Sequence, residues 1–161
     1  MFDKNNKELT KFDFTVACQG NDMAMDMSSK LSGISQSLKG FELDIDAETA
    51  NILYPGHIEV GKRLEDGKFV ARSKVEGLNI GLMDIAIDIT DRKVLAQESL
   101  TIGGKNYECY KISSTNSMKM GFAKMAGKYI EWFCPDVGLV IRSEYYNKKN
   151  KLTSYTEIEA L

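Results

Sequence analysis

The sequence predicts a mainly all-β protein, an antiparallel meander forming an open or half β-barrel with one short helix. Three observations predict it. Runs dominated by aromatic and β-branched residues fill 106–112, 128–133, 137–146 and 152–158, and one side of each is largely apolar. Turn residues punctuate these runs at Gly103-Gly104, Ala126-Gly127 and Asn147-Lys148-Lys149-Asn150. Helical spacing is scarce, whereas an α/β fold repeats helices of about ten residues or more.

Taken in order, residues 12–19 read as a strand, Gly20, Asn21 and Asp22 as a turn, and residues 23–27 as a short strand. Leu31, Ile34 and Leu38 then stand at i, i+3 and i+7 behind Ser28 and Ser29, the spacing of a short helix ending at Gly40. Phe41, Leu43 and Ile45 alternate as a strand, Tyr54, Pro55 and Gly56 mark a turn into a strand over 57–60, and residues 69–75 alternate again. Residues 79–89 place Met83, Ile85, Ile87 and Ile89 on one face and Asp84, Ala86, Asp88 and Thr90 on the other. This is a half-solvated strand that runs past Asp91 and Arg92 to Ser99. Beyond the Gly103-Gly104 turn, strands are expected over 106–115, 117–126, 128–133, 137–146 and 152–161, joined by short links into a meander.

The 161 residues suit one domain that buries a core without needing metal or disulfides to fold. A formal net charge of -2, with both signs interspersed, provides no basic field for phosphates and argues against nucleic acid as a partner. No run approaches the roughly 20 apolar residues of a membrane helix, so no transmembrane segment is expected, and residues 1–7 do not read as a secretory signal. The 3 cysteines allow Cys18–Cys109, Cys18–Cys134, Cys109–Cys134 or no bridge, and spacing does not choose among them. Neither they nor the single histidine, His57, show the spacing of a zinc site or a cysteine-protease dyad.

Two segments resemble each other. Phe2, Asp3, Lys4, Asn5, Asn6 and Lys7 repeat the character of Tyr146, Asn147, Lys148, Lys149, Asn150 and Lys151, a hairpin tip. If the first is also a tip, the strand before it is missing, and the 12–19 strand is left with an unpaired edge from Phe12 to Gln19. Such an edge favours self-association or a protein partner.

The segments 16–27, 89–94, 104–112 and 131–144, followed by Asn147 to Leu152, resemble the TapB-like family of bacterial envelope proteins, and the resemblance spans nearly the whole chain. It implies exported proteins of unknown function, with a signal peptide, an additional N-terminal strand pair and a fold similar to the half-open barrels of bacterial lipoprotein carriers. It implies a periplasmic or cell-surface location, where Cys18 and Cys109, both at positions of family cysteines, could pair in an oxidising setting. Strand parity opposes that pair, because Cys18 shares a face with Phe14 and Val16 whereas Cys109 lies opposite Tyr110 and Ile112. The family pattern has a small or charged residue in place of Cys134 and Gly in place of Asp136. It transfers no catalytic residue and no cofactor.

The sharpest local signal is methionine. Met23, Met25 and Met27 alternate on one face of a strand, and Met118 and Met120 alternate on another that continues to Phe122, so the two stripes could line one wall. Unbranched, polarizable methionine suits apolar ligands of varied shape, such as acyl chains, and Trp132 is a candidate anchor for the core, the plainer reading, or for the mouth of the groove. The plainer reading is core filling beneath the helix. The same stripe offers soft thioether ligands to cuprous copper, a more distant alternative without a nearby histidine. His57 and Glu59 are spaced for a surface pair; Asp44, Asp46 and Glu48 fail as a calcium loop because Thr49 stands where glycine is required. Gly103-Gly104-Lys105 lacks the rest of a phosphate loop, and Asp84 and Asp88 are too far apart for a glycosidase pair. The basic tip at Lys148, Lys149 and Lys151 reads as a solvated turn or a contact for anionic lipid headgroups. The expectation is therefore a non-enzymatic envelope protein binding a lipid or other apolar ligand, with a protein-interaction module of filled core as the alternative.

Overall fold

Strict alternation of apolar and polar side chains along the C-terminal half builds one large antiparallel sheet. A computed structural model describes residues 1–11, 13, 15–27, 41–45, 51–75 and 83–159. They contain β1 (Phe2–Asp3), β2 (Val16–Gln19), β3 (Asp22–Asp26), β4 (Phe41–Ile45), β5 (Asn51–Tyr54), β6 (Gly67–Val75), β7 (Met83–Ile102), β8 (Lys105–Met120), β9 (Ala123–Cys134), β10 (Leu139–Asn147) and β11 (Leu152–Glu157). Eight of these form a sheet in the order β1-β11-β10-β9-β8-β7-β6-β4, and the other three form a second sheet, β2-β3-β5. The eight-stranded sheet ends on β1 and β4 without closing, so the expected open half-barrel meander is what forms. The expected helix at Leu31, Ile34 and Leu38 lies outside the described residues.

Each long strand packs a different core on each face. On the inner face Ile85, Ile87 and Ile89 of β7, Ile112 of β8 and Phe133 of β9 meet Met25, Ile52 and Tyr54 from the small sheet. On the outer face Cys109, Ile130, Trp132, Cys134 and Ile141 form a second cluster with Leu100, Tyr107 and Tyr146 beside it. Burying each large apolar side chain contributes about 1.5–3 kcal/mol. Two bulges in β7, between Thr90 and Lys93 and between Val94 and Ala96, change which parity faces inward: the first brings an even-numbered residue to the inner face and the second restores the original alternation. Val94 accordingly points inward with Ile89, while Leu100 and Ile102 pack outward.

Several sequence expectations are corrected. Residues 105–120 are one strand, not two, and the turn falls at Gly121 and Phe122 instead of Ala126-Gly127. Gly127 sits inside β9 opposite Asn147, where a β-carbon would collide with the Tyr146 carbonyl and the Tyr145 ring. Its glycine therefore serves close packing. Residues 57–60 are not a strand: Ile58 tucks into the core, and the segment follows the β7 bulges, Gly61 N–H donating to Val94 O and Leu64 N–H to Arg92 O. The strand of this region is β5, upstream of the turn. The strand expected over 12–19 is the shorter β2, whose residues Ala17, Cys18 and Gln19 are exposed at the edge of the small sheet.

The resemblance of the two turn sequences is structural. Asp3 Oδ1 accepts from the N–H of Asn5 and Lys7, and Asn147 Oδ1 accepts from Lys149 and Lys151 in the same way. Asn6 and Asn150 both adopt positive φ, 63° and 53°. The segment before the first tip is β1, which pairs Phe2 with Tyr155 and Asp3 with Ser154 of β11.

The disulfide is Cys109–Cys134. The Cys18–Cys109 pair implied by the family resemblance does not form, and Cys18 is free and exposed. The reason is register: Tyr110 pairs with Phe133, which leaves Cys109 and Cys134 facing each other on the outer side of β8 and β9.

Two outcomes follow. Gly127→Val should lower stability by about 1–3 kcal/mol through overpacking, visible as a lower Tm in thermal unfolding, whereas the same change at exposed Gly104 acts only through its positive φ. Removing the bridge with Cys109→Ala and Cys134→Ala should cost about 2–4 kcal/mol, and alkylation of the unreduced folded protein should label Cys18 alone. Labelling of Cys109 or Cys134 would show that the cross-strand pair is reduced.

Candidate functional site

The inner face is not filled everywhere. A cavity of about 290 Å³ opens on the inner face of the large sheet, lined by residues of β6 to β11 with Met1 and Met27, at the lower edge of the roughly 300–1,000 Å³ usual for small-molecule sites. Its apolar wall includes Met27, Phe69, Ile87, Ile89, Met118 and Met125. Register explains the last pair: with the turn at Gly121 and Phe122, Met118 lies directly across from Met125, so both side chains project to the same side.

Farther along the same face the lining is polar and hydrogen-bonded. Glu131, only 4% exposed, lines it, and the Tyr54 hydroxyl donates to Glu131 Oε2 at 2.9 Å. Tyr54 itself stacks on Phe133 with ring centroids 4.7 Å apart, and the Arg92 guanidinium lies 4.9 Å from its centroid on a cation–π contact. Burial first, and then the Glu131 carboxylate, push the Tyr54 phenol well above its ordinary value, so it remains a protonated donor. Farther along, Tyr129 and Ser143 hydroxyls lie 3.0 Å apart, Ser143 also contacts the Thr156 hydroxyl, and Ser114 donates to Asn116 Oδ1 at 3.1 Å. The cavity can therefore enclose an apolar body and meet a polar end with hydroxyls and one carboxylate.

The structure separates the residues singled out by sequence. Met27 and Met118 line the cavity; Met25 is buried in the inner core; Met23 packs beside it against Gly138. The Met120 side chain lies outside the described residues. Phe122 is at the turn and fully exposed, so it does not continue the stripe inward. Trp132 faces the outer cluster, on the other side of the sheet from the cavity, with its Nε1–H donating to Glu98 Oε2 at 3.0 Å and Lys111 Nζ 5.1 Å from its ring. Sequence reading missed Met125, Tyr129, Glu131 and Ser143, which parity reveals once the β8–β9 turn is correctly placed.

Other constellations remain apart. His57 Nε2 meets Glu59 Oε1 at 3.0 Å on the surface, with both side chains mostly exposed. Cys134 is bonded to Cys109 on the outer face. Among the described residues, no group of three or more His, Cys, Asp or Glu side chains could hold a metal ion. Cys18 Sγ lies 3.7 Å from Met23 Sδ at the exposed edge of the small sheet.

The DUF3108-like family model matches residues 1–158. The chain belongs to that family. A protein of Bacteroides fragilis NCTC 9343 described as exported, with a YmcC-like fold, superposes with a TM-score of 0.66 at 21% identity, covering 97% of this chain and 74% of that one. A protein of Parabacteroides distasonis ATCC 8503 described as a lipoprotein also gives a TM-score of 0.66, at 20% identity over 98% of this chain and 74% of that one. These likenesses show the fold. No curated protein matches the chain.

The only tryptophan of the chain reports on the outer cluster. The Trp132 hydrogen bond, followed by Lys111, holds the Glu98 carboxyl below its ordinary value of 4.5 against the opposing effect of burial. A carboxyl depressed on folding contributes stability that is complete above its unfolded pKa and is lost as pH falls through the lower folded value. Trp132 emission should therefore titrate below pH 4.5 in the wild type, with the acid-induced change absent in Glu98→Gln. An identical acid transition in that variant would detach Glu98 from the signal.

Proposed function

We propose that this DUF3108-like chain is a non-catalytic binding protein of the bacterial envelope, periplasmic or cell-surface, whose concave face takes a lipid chain or other apolar ligand. The cavity carries the reading: it is walled by Met27, Phe69, Ile87, Ile89, Met118 and Met125, and methionine adapts to chains of varied shape. The same face continues into hydroxyls and Glu131, suited to the polar end of an amphiphile. The Cys109–Cys134 bridge supports an oxidising compartment, as do structural neighbours described as exported and as a lipoprotein.

One observation favours a second reading, a protein-interaction module. β2 lies at the edge of the small sheet, and its backbone offers pairing groups to another strand. In that case the cavity is incidental to function.

An apolar fluorescent probe such as N-phenylnaphthylamine separates the two. It should bind the wild type and be displaced by long-chain alkyl ligands, and Met118→Glu with Met125→Glu should weaken binding at least tenfold while the β-sheet circular dichroism is kept. Probe binding that is absent, or unchanged in the variant, would remove this cavity from function. Native mass spectrometry of protein recovered from its own compartment then identifies any ligand carried.

A further inference from the structure

The antiparallel connections bring three lysine-bearing turns to one end of the large sheet. β8 and β9 turn at Gly121 and Phe122, β10 and β11 turn at residues 148–151, and β1 leads into the turn at residues 4–7 in the direction of the β10–β11 turn. Lys119 and Lys124, paired across the first turn, Lys148 and Lys149 on the second, and Lys4 and Lys7 on the third are all exposed. The acidic residues described there are few. Asp3 is held by the N–H groups of Asn5 and Lys7, Glu8 faces Lys11 at 4.0 Å, and Asp84 and Asp88 lie on β7 beside Lys119.

The β8–β9 turn also projects. β10 pairs with β9 only from Gly127 onward, so residues 123–126 run past it, and at their tip Phe122 has 110% relative exposure. Behind Phe122 comes Met125, 53% exposed, and across from it Met118, which lines the cavity. The fully exposed ring thus stands at the tip of the hairpin whose Met118 and Met125 line the cavity, between basic turns.

From this geometry we infer that the chain docks this end on an anionic lipid bilayer, with Phe122 entering the interface, the lysines meeting headgroups and the cavity mouth turned to the membrane. Lysines on turns also keep sheet edges apart in water, but that role asks for no exposed aromatic among them. An aromatic ring with nearby lysines is the combination that interfacial binding uses, where apolar burial and headgroup attraction add.

The test is cosedimentation of the full chain with phosphatidylethanolamine vesicles containing phosphatidylglycerol, and with others containing phosphatidylcholine instead. The wild type should partition to the anionic vesicles alone and be released by high salt. Phe122→Ser should weaken partition about tenfold, and Lys119→Gln, Lys124→Gln, Lys148→Gln and Lys149→Gln together by more, at up to roughly fivefold per lysine. Unchanged Trp132 emission shows that each exposed-site variant is folded. Wild-type protein remaining in the supernatant, equal binding to both vesicles, or a Phe122→Ser protein that binds as the wild type does would overturn the inference. So would salt-sensitive binding to heparin that matches vesicle binding and ignores Phe122, which would reassign the basic end to an acidic macromolecule. Probe binding to the cavity is scored separately, so loss of vesicle binding with intact probe binding leaves the ligand reading standing.

Discussion

The structure depends on how a charged group is kept inside it. Arg92 is 2% exposed and leaves β7 at the bulge, beside Asp91 with its φ of 54°. Its Nη1 donates to Leu53 O at 3.0 Å and Glu65 O at 2.8 Å, and its guanidinium covers Tyr54. Nε and Nη2 have no hydrogen-bond partner among the described residues. Tyr54 in turn reaches Glu131 on β9, so one side chain ties the small sheet, through β5, to the large sheet. Truncating any member leaves a buried polar group unpaired, which costs more than the contact itself contributes. The knot also borders the cavity, because Glu131 lines it.

Bulges make such an arrangement compatible with strands of great length. A regular strand would send the same parity of residues to one face throughout, and in β7 that would turn Val94 away from the face of Ile85, Ile87 and Ile89. The first irregularity turns Val94 into the inner core, and the second restores the alternation that sends Leu100 and Ile102 to the outer cluster. β10 has its own irregularity: the shift between Val140 and Arg142 places Arg142 opposite outward-facing Trp132 although its neighbour Ile141 already packs in the outer cluster. The outer cluster is roofed by charge, Arg142 bonding Glu144 and Glu157 while lying 5.8 Å from the Trp132 ring. Long side chains there cover apolar surface with their stems and keep their heads in water.

The same features divide what was legible in the sequence from what was not. Alternation is a local property, so the meander and the faces of Ile85, Ile87 and Ile89 could be read directly, as could the likeness of the Asp3 and Asn147 turns. Glycine was the weak signal, because its two uses look alike in one dimension. Gly127 resembled a turn residue when the packed Tyr145 and Tyr146 were what required it, while Gly121, at φ 55°, held the actual turn. That single displacement hid Met125 and Glu131 from the candidate site. Trp132 was placed in the groove because its parity relative to Glu131 carries no meaning until the inner face is known. The cysteine pairing was hidden for the same reason, since it depends on Tyr110 standing opposite Phe133.

Register in the β8–β9 hairpin is thus the quantity on which site and surface both rest. A slip of β9 by one residue against β8 would turn Met125 outward and bring Lys124 or Ala126 opposite Met118, because successive side chains alternate. The β8–β9 turn alone is a poor guardian of that register over strands of 16 and 12 residues. The disulfide lies at the far end, where Cys134 closes β9, roughly 35 Å of strand from Ala123. A covalent link at one end and a two-residue turn at the other define the register from both sides. Between them, Trp132 packs outward and Glu131 inward on adjacent residues, a pair that a slipped strand would bury and expose the wrong way round. The cross-strand bridge therefore acts beyond its local stability, because the same register aligns Met118 with Met125 and holds Phe122 at the tip.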